Sequence, residues 1–144
     1  ITFEKNGKPS LESAFFNISH TSDMVVCAIS QKGRIGIDIE KEEEVEFKNF
    51  ESWFTPTEWN KILSSSFPLQ QFYWYWTRKE SIIKALGLKL SYLNQIELDV
   101  KQEEFEENGK KWYMKDLNLG THIAGSICTE FKLSFPIYLK YISF

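Results

Sequence analysis

The sequence predicts an α+β fold, a mostly antiparallel sheet packed against helices, and three observations lead there. Strand-like segments come first, then two helical segments, then strands again, an order that favours a segregated α+β layout over alternating βαβ units. The hydrophobic pattern switches with them, from period 2 over residues 35–40 to helical spacing over residues 69–86. The chain of 144 residues is 42% hydrophobic and 26% charged, with no Gly/Ser/Pro-rich linker and no internal repeat, which suits one packed domain rather than a disordered chain.

The elements follow in order. Lys5-Asn6-Gly7-Lys8-Pro9-Ser10 is a turn-rich loop. Phe15–Ser19 and Met24–Ile29 read as extended, the second a continuous apolar run of the buried-strand kind. Gln31-Lys32-Gly33-Arg34 forms a hairpin turn into Ile35-Gly36-Ile37-Asp38-Ile39-Glu40, whose three isoleucines share one face. After an acidic stretch (41–46), Thr55-Pro56-Thr57-Glu58 supplies an N-cap with proline at the first helical position. A longer helix runs from about Leu69 to Leu86 and stops at Gly87, which tolerates the left-handed conformation that ends helices. Strands are expected at Gln95–Val100, Lys111–Lys115, Thr121–Cys128 and Ile137–Ile142, with a hairpin turn at Glu106–Lys110.

Composition narrows the function. Seventeen basic against twenty acidic residues leave a net charge of −3, which gives no support to nucleic-acid binding driven by net charge. No apolar run approaches the roughly 18 residues of a membrane span, and Ile1-Thr2-Phe3-Glu4-Lys5 has no signal-peptide core, so a cytoplasmic protein is expected. Cys27 and Cys128 lack metal-ligand spacing and sit in apolar runs, as reduced core thiols would. No phosphate-binding glycine motif occurs.

Three segments carry chemistry. On the 35–40 strand Asp38 and Glu40 share a face, roughly 6–7 Å apart by strand rise. Side-by-side carboxylates repel unless a cation or proton relieves them, and such oxygen ligands suit Mg²⁺ or Mn²⁺. Spacing alone leaves open that the pair is simply part of a solvated acidic run. On the long helix, Phe72, Trp76, Ile83 and Leu86 form an apolar stripe. Glu80 and Lys84 border it one turn apart, and Lys79 projects into it, where a charge needs a partner or a route to water. The third segment is Asn17-Ile18-Ser19-His20-Thr21, just ahead of the apolar run; His122, inside a strand-like segment, reads as structural.

In this order, Phe16-Asn17-Ile18-Ser19-His20-Thr21, Ile35-Gly36-Ile37-Asp38-Ile39-Glu40 and Trp76-Thr77-Arg78-Lys79-Glu80-Ser81-Ile82-Ile83-Lys84 resemble the 4′-phosphopantetheinyl transferases of the Sfp type. The family signature pairs G-[IV]-D with [FW]-[SCT]-x-K-E-[AS]-x-x-K, and both halves match. The resemblance implies transfer of the phosphopantetheine arm of coenzyme A to a serine of an acyl or peptidyl carrier protein, with release of 3′,5′-ADP. It implies that Asp38, Glu40 and Glu80 hold Mg²⁺ (or Mn²⁺), that Lys84 and Lys79 balance phosphate charge, and that Lys8, Ser19 and His20 contact the 3′-phosphate end of coenzyme A. Glu80, or a metal-bound water beside it, would take the serine proton. Members of this type have two similar halves, so residues 1–34 would close the first half and residues 35–144 form the second, catalytic one. A catalytically incomplete module that binds carrier protein or coenzyme A is the alternative. Lys89 stands where the family commonly has glycine, which would alter the loop backbone.

Aromatic residues make up 16% of the chain, and Trp53, Phe54, Trp74 and Tyr75 are candidates for a carrier-docking face or for packing beneath a neighbouring element.

Overall fold

A computed structural model describes the backbone of Thr2–Phe3 and Pro9–Ser10, together with residues 14–22 and 24–133. Lys8 and the segment expected as a strand at Ile137–Ile142 lie outside the described residues. The strands are β1 (Thr2–Phe3), β2 (Pro9–Ser10), β3 (Phe15–Thr21), β4 (Met24–Ser30), β5 (Ile35–Lys41), β6 (Glu104–Glu107), β7 (Lys110–Asp116) and β8 (Ile123–Thr129). Helices α1 (Pro56–Leu63) and α2 (Pro68–Leu86) stand between β5 and β6, with short 3₁₀ segments at Phe47–Trp53 and Leu90–Gln95.

Among the described residues every strand pair is antiparallel: β1 with β2, β3 with β4, and a four-stranded sheet in the order β5-β8-β7-β6. The α+β expectation therefore holds, with α2 packed across β5 and β8. One face of β5 places Ile35, Ile37 and Ile39 in a core with Ala28, Leu117, Leu119 and Ile127. The other face meets α2, beneath which Phe54, Trp59, Phe72, Tyr75, Ile82 and Trp112 build an aromatic-rich core.

Local signals form the elements as read. The Thr55 hydroxyl accepts from the Glu58 N–H (3.3 Å) while the Glu58 carboxylate accepts from the Thr55 N–H (2.9 Å), a reciprocal cap opening α1. Gly87 closes α2 with φ 73°. Asn108 and Gly109, at φ 52° and 72°, make the tight β6–β7 turn.

Several segments depart from expectation. Residues 31–34 are not a hairpin turn, because β4 pairs with β3 and β5 with β8. The Met24–Ile29 run is not buried throughout: Val25 and Ile29 are exposed and Cys27 is an exposed thiol, while Cys128 is the buried one. Gln95–Val100 is not a strand: the Leu98 N–H donates to the buried Glu58 carboxylate (2.8 Å), which pins the segment beside α1, and Glu104–Glu107 pairs with β7 instead. Thr121 and His122 sit in a turn, where His122 has φ 61°, so β8 starts at Ile123. Lys89 takes an extended conformation (φ −88°, ψ 158°), so that loop makes no demand for glycine.

Candidate active site

The site is built where β5 meets α2. Gly36, Asp38 and Glu40 lie on one face of β5 by strand periodicity, and that face looks onto α2. An added Cβ on Gly36 would stand 2.1 Å from the Ser81 carbonyl oxygen and 2.4 Å from the Ala85 nitrogen, so only glycine lets the helix approach this closely. Asp38, two residues on, is 3% exposed. Its Oδ1 accepts from the Ser19 hydroxyl (3.0 Å) and pairs with the Lys84 ammonium (2.6 Å). Its Oδ2 is buried and accepts no hydrogen bond. A buried, unsatisfied carboxylate oxygen is costly and needs a reason.

Glu40 and Glu80 complete an electrostatically coupled set. Burial raises the Glu80 pKa to about 7; the Asp38 and Glu40 charges push the same way and Lys84 opposes them. Burial and then the Asp38 charge raise Glu40, against Lys84 and a hydrogen bond from Trp76. Asp38 is also raised, because burial outweighs its Lys84 and Ser19 contacts. Among the described residues no three acidic, histidine or cysteine side chains already stand in a metal-holding arrangement. Three like charges gathered without a cation repel one another, and here Lys84 supplies the local neutralisation. The unsatisfied Asp38 Oδ2 and the raised carboxylates nonetheless fit a hard divalent cation, which favours oxygen donors.

The other sequence-flagged residues are distributed differently. Ser19 is buried at 5% exposure, turned to Asp38. His20 points to the opposite, exposed side of β3 and is not part of this cluster. Lys79 is fully buried and is not brought to the carboxylates. Its ammonium pairs with Glu58, lies 3.5 Å from the Trp53 carbonyl oxygen and sits 5.3 Å from the Phe54 ring centre. The charge in the apolar stripe has thus found a partner on α1 rather than a phosphate-facing surface.

The docking candidates fare similarly. Phe54 and Tyr75 are core residues at 5% and 0% exposure. Trp53 and Trp74 are partly buried against the same core. Trp74 also lies under the Arg78 guanidinium (4.2 Å) and donates to Asp116. Packing beneath neighbouring elements accounts for them.

The sequence placed Asn17 and Thr21 in the third segment but assigned them no role. Their side chains, with Ser19, accept from the N–H groups of Ile37 (2.8 Å), Ile39 (3.2 Å) and Lys41 (2.9 Å) on the edge of β5. The alternation Asn-x-Ser-x-Thr on a strand was the available signal: three short polar side chains on one face. Glu58 was legible only as a capping residue, and Arg78, bidentate to Asp116 (2.7 and 3.0 Å), only as a helix charge.

A family model, the 4′-phosphopantetheinyl transferase superfamily, matches residues 34–131, which include β5, both helices, Asp38, Glu40, Glu80 and Lys84. The chain belongs to that superfamily. Among the relatives it resembles, the 4′-phosphopantetheinyl transferase gsp of Aneurinibacillus migulanus is 37% identical over 77% of this chain and 50% of that protein. The 4′-phosphopantetheinyl transferase Sfp of Bacillus subtilis is 30% identical over 94% of this chain and 63% of its own length. The 4′-phosphopantetheinyl transferase HetI of a Nostoc species is 34% identical over 71% and 47%. The chain therefore spans between about half and just under two thirds of these superfamily members. A holo-acyl-carrier-protein synthase structure from Thermotoga maritima aligns over 67% of the chain with a TM-score of 0.45 and 18% identity, and adds no argument of its own.

Proposed function

We propose that the protein transfers the 4′-phosphopantetheine arm of coenzyme A to a serine of an apo acyl or peptidyl carrier protein, in a Mg²⁺-dependent reaction that releases 3′,5′-ADP. The observation that carries this reading is the buried Asp38 carboxylate. One of its oxygens is engaged by Lys84 and Ser19 and the other is left open, beside two further raised carboxylates.

Phosphoryl-type transfer is mainly positioning and charge neutralisation. Asp38, Glu40 and Glu80 would hold the cation; Mg²⁺, when bound, would neutralise charge on the pyrophosphate. Lys84, 28% exposed at its side chain, is close enough to the surface to share its charge with a phosphate. Glu80, whose pKa burial raises to about 7, is suited to accept the carrier serine proton. The serine oxygen forms the new P–O bond while the bond to 3′,5′-ADP breaks. We place the catalytic half at residues 35–144 and the end of the preceding half at residues 1–34. Among the described residues the backbones of β3 and β4 pair only with each other, while β3 reaches the β5 edge through its Asn17, Ser19 and Thr21 side chains. A cytoplasmic location belongs to the same reading; no described helix is long and apolar enough to cross a membrane.

The test incubates the full-length protein with Mg²⁺, coenzyme A and purified apo carrier proteins, and reads intact mass. A gain of one phosphopantetheine arm is expected. No gain with fatty-acid, polyketide and peptide carriers alike rejects the transferase reading and leaves the binding module, which calorimetry with coenzyme A detects.

A further inference from the structure

We infer that Tyr73 is a positioning residue for Glu40: it fixes the exit of β5, which keeps the Glu40 carboxylate beside Asp38 and Glu80. The inference rests on the proposed transferase reading and deepens it at a side chain outside the matched signature.

Helix α2 lies along β5 in reverse and meets it at successive points. Tyr73, Trp76, Glu80 and Lys84 fall at helical spacing on one stripe. Ser81 and Ala85 abut Gly36, Lys84 pairs with Asp38, and Trp76 donates to Glu40. Tyr73 comes next, and its hydroxyl donates to the Glu43 carbonyl at 2.9 Å, just beyond the strand. The two spans are comparable: Gly36 to Glu43 covers about 23 Å of extended chain, and Tyr73 to Ala85 about 18 Å of helix.

Glu40 is the acid that needs such a hold. Asp38 is buried and takes two donors on one oxygen, whereas Glu40 is half-buried at the end of the strand. Glu42, Glu43, Glu44 and Glu46 follow it, and like charges push that segment away from the carboxylate set. The Glu42 N–H donates to the His122 carbonyl and the Glu43 N–H to the Lys41 carbonyl, both at 2.8 Å. Those bonds tie the exit to the turn before β8 and to itself. Tyr73 ties it to α2, the element that carries Glu80.

The tether is itself well held. Tyr73 is 6% exposed, with its ring 5.2 Å from that of Phe72 and edge-on to it. Burial, and the charges of Glu40, Glu43 and Glu42, push its hydroxyl pKa up against the Glu43 bond, so it stays a donor at neutral pH.

The test compares Tyr73→Phe, Glu40→Gln and the double variant in the full-length protein, with Tyr113→Phe as a control that removes a tyrosine hydroxyl from β7. Mn²⁺ affinity is read from the free-ion electron paramagnetic resonance signal, and carrier modification from intact mass. Tyr73→Phe removes one oxygen, and circular dichroism establishes that each variant is folded.

Tyr73→Phe is expected to weaken Mn²⁺ binding about 10-fold, the low end for groups that hold a metal ligand in place. With Glu40→Gln already present it should add no more than about 2-fold, the scatter of independent changes. Tyr113→Phe should match the parent. Parent-like Mn²⁺ affinity in Tyr73→Phe overturns the proposal, as does an equal loss with and without Glu40→Gln, or a parent that binds no Mn²⁺. A parent that binds Mn²⁺ but modifies no carrier rejects the transferase reading alone, because the titration still reads the coupling of Tyr73 to Glu40.

Discussion

The Ser81 carbonyl oxygen stands where a side chain on Gly36 would be, 2.1 Å from an ideal Cβ position. This contact seats α2 on β5 and sets the distance at which Lys84, three residues beyond Ser81, reaches Asp38, two residues beyond Gly36. The close approach explains why the strand carries glycine ahead of its first acid, where the local pattern would accept any small residue.

Replacing Gly36 with Ala should therefore force helix and strand apart, since the obstructing atoms are backbone. A loss of at least about 2–3 kcal/mol is expected, at the upper end of overpacking effects. Urea denaturation gives the value, and a variant as stable as the parent would show that α2 shifts without cost.

The Lys79–Glu58 pair is buried at both ends, and burial lowers the Lys79 pKa against the pull of Glu58. Lys79→Met should cost about 3–5 kcal/mol by leaving Glu58 charged and buried without its cation. Adding Glu58→Gln, which removes the buried charge but keeps an acceptor for only one of the Thr55 and Leu98 N–H groups, should recover part of that loss. A double-mutant cycle with no coupling would remove the pair from the account of stability.

Glu80 predicts a pH dependence of defined sign. Its folded pKa, about 7 because of burial, lies above the ordinary 4.5. The folded state therefore holds a proton that the unfolded state has lost between those values. The contribution is fully present below about pH 4.5 and disappears as pH rises through 7. Without divalent ions, Tm should fall on going from pH 5 to 7.5, and Glu80→Gln should show a smaller fall. Asp38 and Glu40, also raised, contribute in the same sense, so the comparison with Glu80→Gln isolates one group. An identical slope in both proteins would contradict the assignment.

Asp38→Ala and Glu80→Ala should each lower carrier modification by roughly 100- to 1000-fold, the rate equivalent of several kcal/mol of lost transition-state stabilisation. Chelation of divalent ions should do the same to the parent, reversibly on adding Mg²⁺. Mass spectrometry follows the product, and near-parent turnover in either variant would remove that acid from the chemistry.

Much of this was legible because it is local. The cap at Thr55, the stop at Gly87 and the turn at Asn108-Gly109 depend on residues within a few positions of one another. The shared face of Asp38 and Glu40 follows from the two-residue period of a strand, whatever lies opposite. Residues 95–100 misled for the converse reason. Their apolar alternation resembles a strand, but the Glu58 carboxylate, 40 residues away from Leu98, claims a backbone donor that a sheet would need.

The chain order and side-chain periodicity alone determined the α+β class, the limits of α2, the acids of β5 and the need of Lys79 for a partner. Only the tertiary structure decided that this partner is Glu58, that Ser19 turns to Asp38 while His20 faces outward, and that Asp38 keeps one oxygen open. Covalent geometry repeats every two or 3.6 residues and can be read from a short window. Which distant group meets a buried charge is set by how whole elements pack, and no short window contains both members of the pair.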